Sequence, residues 1–257
     1  MNEYEKILFD LNGYLVIEDI LSAAQVDALN GAFDQNRPPR ETPPERSLDG
    51  GSARLSGQHG RETFSGCLNW PQPWCTPFRE LLALPAALRY MVETIGDDIR
   101  FEGLAGIANT AGSEGQLLHG GGVGHSPDLE QGFFHRVENG RMRNGLMAIA
   151  YLLSDVNPGD GGFCCIPGSH KSNYFCPWTM RRMEFGAEFV RQIVLKAGSA
   201  ILFTEALIHG ALPWTGVRER RMLIMRATGR ASCPSRPRQR RTPTRKSPRC
   251  RPCTCLL

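Results

Sequence analysis

A chain of 257 residues, 41% hydrophobic and 22% charged, can bury one substantial core, so a single folded domain is expected. No apolar run approaches the roughly twenty residues that span a bilayer. The acidic start Met1-Asn2-Glu3-Tyr4-Glu5-Lys6 also lacks the order of a secretory signal, so a cytoplasmic protein with no membrane partner is expected. The net charge of +4 is concentrated at one end: residues 230–257 hold nine Lys/Arg and no Asp or Glu, which leaves −5 for residues 1–229 and no basic face for nucleic acid.

In chain order, Phe9 to Ile20 reads as a turn and a strand, with Gly13-Tyr14-Leu15-Val16-Ile17 at its centre. A helix follows from Ser22, where the capping box Ser22-x-x-Gln25 precedes Val26, Leu29 and Phe33 at helical spacing. Residues 37–60 have no periodicity and form a long loop. Thr76-Pro77 starts the next helix, and Pro85 restarts another carrying Leu88, Met91 and Val92. From Arg100 onward the pattern changes to short β-like runs at 99–109, 115–119, 145–153, 162–166, 192–196, 199–204, 207–212 and 221–227. Such spacing implies a mainly β, α+β fold: an antiparallel double-sheet barrel with flanking N-terminal helices.

Residues 230–257 are rich in Pro, Arg, Ser, Thr and Cys, and are expected to form a disordered tail outside a 1–229 domain. Their unlikeness to the rest points to an aberrant end of the gene model, with a functional basic arm as the rival. Five cysteines (67, 75, 164, 165 and 176) lie in the body and four (233, 250, 253 and 255) in the tail. The body set reads as free thiols. Cys164 and Cys165, adjacent in a strand, point to opposite faces.

The chemistry is expected from two histidines, His119 and His209, each ending a short apolar run and followed at once by glycine. Between them lie Asp155-Val156-Asn157-Pro158-Gly159-Asp160-Gly161-Gly162 and Pro167-Gly168-Ser169-His170-Lys171, and after them comes the pair Arg220-Arg221. That order resembles the phytanoyl-CoA dioxygenase family over about Phe9 to Arg226. The resemblance implies a jelly-roll barrel and a non-haem Fe(II) enzyme that consumes 2-oxoglutarate and O2 to oxidise a C–H bond. In it His119 and His209 are metal ligands, and Arg220 rather than Arg221 clamps the far carboxylate of 2-oxoglutarate. Ser169 and His170 shape the 2-oxoglutarate or substrate pocket.

The family's first ligand and carboxylate usually form His-x-Asp, but here the run is His119-Gly120-Gly121. Asp128, reached through the Gly-rich loop, is the first choice for the third ligand, with His125 as a nitrogen alternative. An open position, as in halogenating relatives, or loss of the metal are the others. Ala211 also stands where the family often has a serine. If residues 205–209 are a strand, Glu205 shares a face with His209 but lies roughly 13 Å away, so it is expected to line the substrate pocket rather than bind metal. His135 is placed at the substrate entrance, and Asn144 is assigned an amide contact to the cosubstrate. The expected function is hydroxylation of an unidentified small organic substrate. A halogenase and a non-catalytic small-molecule-binding barrel are the alternatives.

Overall fold

The structure, a computed structural model, describes residues 1–37, 42–46, 52–121 and 134–229. His125, Asp128 and the segment 230–257 lie outside the described residues, as does part of the loop expected at 37–60.

Helix α1 (Glu3–Asn12) occupies the stretch from Phe9 where a turn was expected, and the strand expected after Gly13 forms. Asn2 and Glu5 form a reciprocal capping box, and Gly13, at φ 78°, closes the helix by donating its N–H to the Phe9 carbonyl. Only Phe9 of this helix is buried, while Tyr4, Ile7, Leu8 and Leu11 are exposed. Its apolar spacing therefore does not mark a core-facing stripe. Strand β1 (Tyr14–Ile17) follows, then α2 (Ala23–Asn36), with the Ser22–Gln25 capping box formed as the sequence predicts. After β2 (Glu62–Phe64), helix α3 (Thr76–Leu82) and helix α4 (Pro85–Ile95) each carry proline in the first turn, where no N–H is needed.

The remaining strands are β3 (Ile99–Asn109), β4 (Gln116–His119), β5 (His135–Glu138), β6 (Arg141–Asn144), β7 (Leu146–Leu152) and β8 (Gly162–Cys165). The short helix α5 (Trp178–Arg181) precedes β9 (Arg191–Gln192), β10 (Ala200–Thr204), β11 (His209–Leu212) and β12 (Arg220–Gly229). A six-stranded sheet has the order β1-β10-β7-β12-β3-β2, a four-stranded sheet the order β4-β11-β8-β9, and β5-β6 form a separate hairpin that the sequence pattern did not reveal. The strand pairs within both sheets are antiparallel. This is the jelly roll expected, with helices on one side.

Period-2 alternation explains how the large sheet is buried on both faces. Met147, Ile149 and Tyr151 of β7, with Leu223, Met225 and Ala227 of β12, pack toward the helices around Phe9, Leu29, Phe33 and Phe78. Ala148, Ala150 and Leu152, with Met222, Ile201 and Phe203, face the other way, onto Phe163 and Cys165 of the small sheet. Cys164 joins a third cluster with Leu55, Leu118, Cys176 and Met183, so the two neighbouring cysteines do part to opposite faces. All five body cysteines are free and buried.

Candidate metal centre

His119 ends β4 and His209 begins β11, and the two are direct partners across the antiparallel ladder. Their ring centroids lie 4.2 Å apart. Each ring is held the same way: its Nδ1 donates to the carbonyl two residues back, Leu117 at 2.9 Å for His119 and Leu207 at 2.8 Å for His209. That bond leaves Nε2 of each ring as the lone-pair atom. Burial, then the neighbouring His209, push the His119 pKa down to about 3. Burial also lowers that of His209, against the pull of Glu205. Both imidazoles are therefore neutral at pH 7, the form a metal ion needs. Phe163 and Phe203 wall the His209 ring at 5.8 and 4.7 Å between centroids.

Glu205 is where the sequence reading fails. The residues before His209 are not a strand: β10 stops at Thr204, and Leu207 N–H donates to the Thr204 carbonyl at 2.9 Å, closing a tight turn. The turn brings Glu205 Oε2 to 3.7 Å from His209 Nε2, so the roughly 13 Å separation expected of an extended chain does not exist. One ligand atom from each of His119, Glu205 and His209 lies within 4.8 Å of the others. Gly120 makes the approach possible. A β-carbon there would meet the Leu207 carbonyl oxygen at 2.2 Å and that of Glu205 at 2.8 Å, and its φ is +86°. Gly121, at the position of the family's carboxylate, has φ +96°, a conformation L side chains rarely adopt.

The other Glu205 oxygen, Oε1, accepts from Arg226 Nε at 2.7 Å. Arg226 lies on β12, where residues 220, 222, 224 and 226 all line one pocket between the two sheets. That pocket is also lined by His119, His209, Arg61, Asn109, Glu114 and Gln116. Arg220 is 4% exposed. It donates from Nη1 to Asn109 Oδ1 at 2.9 Å, while its buried Nε has no partner. Burial, then the charge of Arg61, lower its pKa to about 10. Gly162 lies flat against it, since a β-carbon there would sit 2.8 Å from Nε. Gly162, the last glycine of the 155–162 segment, thus clears room for the guanidinium. Arg221 faces away and pairs with Asp34 at 2.6 Å and with Glu219.

Besides Glu205, four residues expected at the pocket are not among its lining residues. Asn144 donates to the Thr94 carbonyl at 2.9 Å and contacts His135 Nδ1, whose Nε2 lies 3.0 Å from Asp10 of α1. His170 donates from Nε2 to the Asp10 backbone carbonyl, and its ring packs on Gly13. These contacts tie α1 to the β5–β6 hairpin and to the turn at Ser169. Ser169 Oγ accepts from Ile208 N–H at 2.9 Å, so it braces the turn that delivers His209. Arg61, Asn109, Gln116 and Arg226 were not legible as pocket residues. Each lies on an element whose facing depends on strand register.

The donor set fits a metal. Two neutral imidazoles and a carboxylate are the facial set that non-haem Fe(II) sites use, and the unpartnered nitrogen of Arg220 fits a carboxylate-bearing cosubstrate. Fold and site together define the class of non-haem, 2-oxoglutarate-dependent oxygenases. The sequence matches the model of the Phytanoyl-CoA dioxygenase (PhyH) family over residues 9–222, and the chain belongs to that family. No curated protein sequence matches it.

Solved structures share the fold. HygX from Streptomyces hygroscopicus, with nickel, 2-oxoglutarate and hygromycin B bound, superposes with a TM-score of 0.71 at 19% identity, covering 90% of this chain and 88% of that chain. HygX has also been solved with iron bound. AviO1 from Streptomyces viridochromogenes Tue57 gives 0.61 at 15% identity, covering 90% and 96%. The non-haem α-ketoglutarate-dependent carbocyclase SnoK from nogalamycin biosynthesis gives 0.59 at 12% identity, covering 89% and 84%. Among the described residues no helix is long and apolar enough to cross a membrane.

Proposed function

We propose that the protein is an Fe(II)- and 2-oxoglutarate-dependent dioxygenase that hydroxylates a small organic molecule, with His119, His209 and Glu205 holding the iron. The observation that carries this is the convergence of those three side chains beside a buried arginine with no carboxylate partner among the described residues. Bound iron would supply the redox chemistry that couples 2-oxoglutarate and O2 to oxidation of a C–H bond. The protein's residues do the rest. The carbonyls of Leu117 and Leu207 fix the tautomers of the two histidines, and Arg226 fixes the carboxylate by one oxygen and leaves the other toward His209. Arg220, braced by Asn109, offers its guanidinium to the far carboxylate of 2-oxoglutarate. Phe163, Phe203, Met222 and Ile224 form apolar wall around the histidines and limit the access of water.

A halogenating reaction, motivated by Gly121, has weaker support, because Glu205 brings a carboxylate to the histidines from another part of the chain. Anaerobic equilibrium dialysis with Fe(II), followed by calorimetric titration of 2-oxoglutarate, tests the reading. We expect one iron per chain and 2-oxoglutarate binding that requires the metal. Cosubstrate binding of equal strength without metal would overturn it.

A further inference from the structure

Among the described residues, the pocket lining carries more positive than negative charge. Three arginines line it, Arg61, Arg220 and Arg226, and among the described residues two carboxylates accompany them: Glu114 in the lining and Glu205 behind Arg226. A divalent ion with a dianionic cosubstrate adds no net charge, so one positive charge remains for a further ligand.

Arg61 is the arginine with no part in the metal and cosubstrate sites proposed above. Arg226 is committed to Glu205, and Arg220 is braced by Asn109 beside Gly162. Arg61 enters from the residue before β2 and donates from Nη1 to the neutral amide of Gln116 at 2.6 Å. That contact orients the guanidinium without neutralising it. Glu114 attracts it, yet burial outweighs this pull and lowers its pKa. Gln116 lies three residues before His119 on β4, so Arg61 is fixed at a set place relative to the metal ligands. The same pocket is also lined by the apolar Ile107, Phe163, Phe203, Met222 and Ile224.

We propose that Arg61, braced by Gln116, anchors a single anionic group, carboxylate or phosphate, on the apolar-bodied substrate that this site oxidises; the proposal rests on the reading of the site given above. A guanidinium in a partly desolvated wall binds such a group through charge-assisted hydrogen bonds, and a neutral analogue leaves it unpaired.

The test uses full-length protein loaded with Mn(II) and saturating 2-oxoglutarate, titrated calorimetrically with benzoate, phenyl phosphate and neutral benzamide. At least one anion should bind and benzamide should not, and the preferred anion distinguishes a carboxylate from a phosphate substrate. Arg61→Gln should weaken anion binding roughly tenfold or more while shifting 2-oxoglutarate affinity less than about threefold, and Arg220→Gln should do the reverse. Arg61→Lys keeps the charge and loses the fork, so it should fall between wild type and Arg61→Gln. It also serves if the glutamine variant does not fold. Binding of benzamide as tight as benzoate, or no binding of either anion, would overturn the proposal. So would a loss of 2-oxoglutarate affinity in Arg61→Gln as large as that in Arg220→Gln, which would place Arg61 in the cosubstrate site. Wild-type protein that takes up neither Mn(II) nor 2-oxoglutarate would remove the underlying reading, a failure separable from the others.

Discussion

Gly120 and Glu205 meet across 85 positions of sequence, and the geometry of the metal centre depends on that contact. Because the glycine has no β-carbon, the 204–207 turn packs against it and turns a carboxylate toward two imidazoles. Glu205→Ala should therefore lose Fe(II) or Mn(II) binding, read by calorimetry, as severely as His119→Ala or His209→Ala. Retention of full metal occupancy in Glu205→Ala would remove it from the ligand set. Arg226→Met takes away the hydrogen bond that orients the carboxylate, and should weaken metal binding about 10–100-fold, the usual cost of losing a ligand's supporting partner. Gly121→Asp restores the family's residue type at a backbone of φ +96°. It should cost about 1–2 kcal/mol of stability with no gain in metal affinity; tighter metal binding in that variant would contradict the role given to Glu205.

At the level of elements, β12 carries two different functions on its two faces. Its even-numbered residues from 220 to 226 line the pocket, while Arg221 pairs outward with Asp34 and Glu219. Arg220→Ala should weaken 2-oxoglutarate binding by about 1.5–3 kcal/mol in calorimetry while metal stays bound. Arg221→Ala should leave cosubstrate affinity alone and change stability by under about 1 kcal/mol, since its partners are partly exposed. The same strand is legible in the sequence from its apolar run Met222-Leu223-Ile224-Met225, and period 2 alone separates the two arginines. The turn after β10 was not legible. Leu207 and Ile208 are as apolar as strand residues, and only the Thr204–Leu207 hydrogen bond shows that the chain leaves the large sheet there to enter the small one.

For the whole molecule, buried neutral histidines set the acid response. Burial, then the charge of His135, lower the His170 pKa to about 4, and His119 stands at about 3. An unfolded-chain histidine titrates near about 6.5. Between these values the unfolded chain binds more protons than the folded one, so stability falls as pH drops from about 6.5 toward about 4 and is flat above it. Metal-free protein should show this slope in chemical denaturation at pH 7, 6, 5 and 4, and His170→Gln should make it shallower, leaving the contribution of His119. A stability that stays level down to pH 5 in the wild type would contradict the buried neutral state of these rings.

The sequence by itself determined the barrel class, the capped helix at Ser22, the proline-started helices, most strands and the two histidines, because each rests on local periodicity or on short-range capping and turn chemistry. Only the tertiary structure decided which polar residues share a site. His135 bonds Asn144 and the Asp10 side chain, and His170 bonds the Asp10 carbonyl, near the end of α1, while Arg61, Asn109, Gln116 and Arg226 converge on the pocket from four strands or their edges. Which of these sets meets the metal depends on register between strands distant in sequence and on where the backbone turns. Those are set by packing of the two sheets, and no spacing along the chain records them.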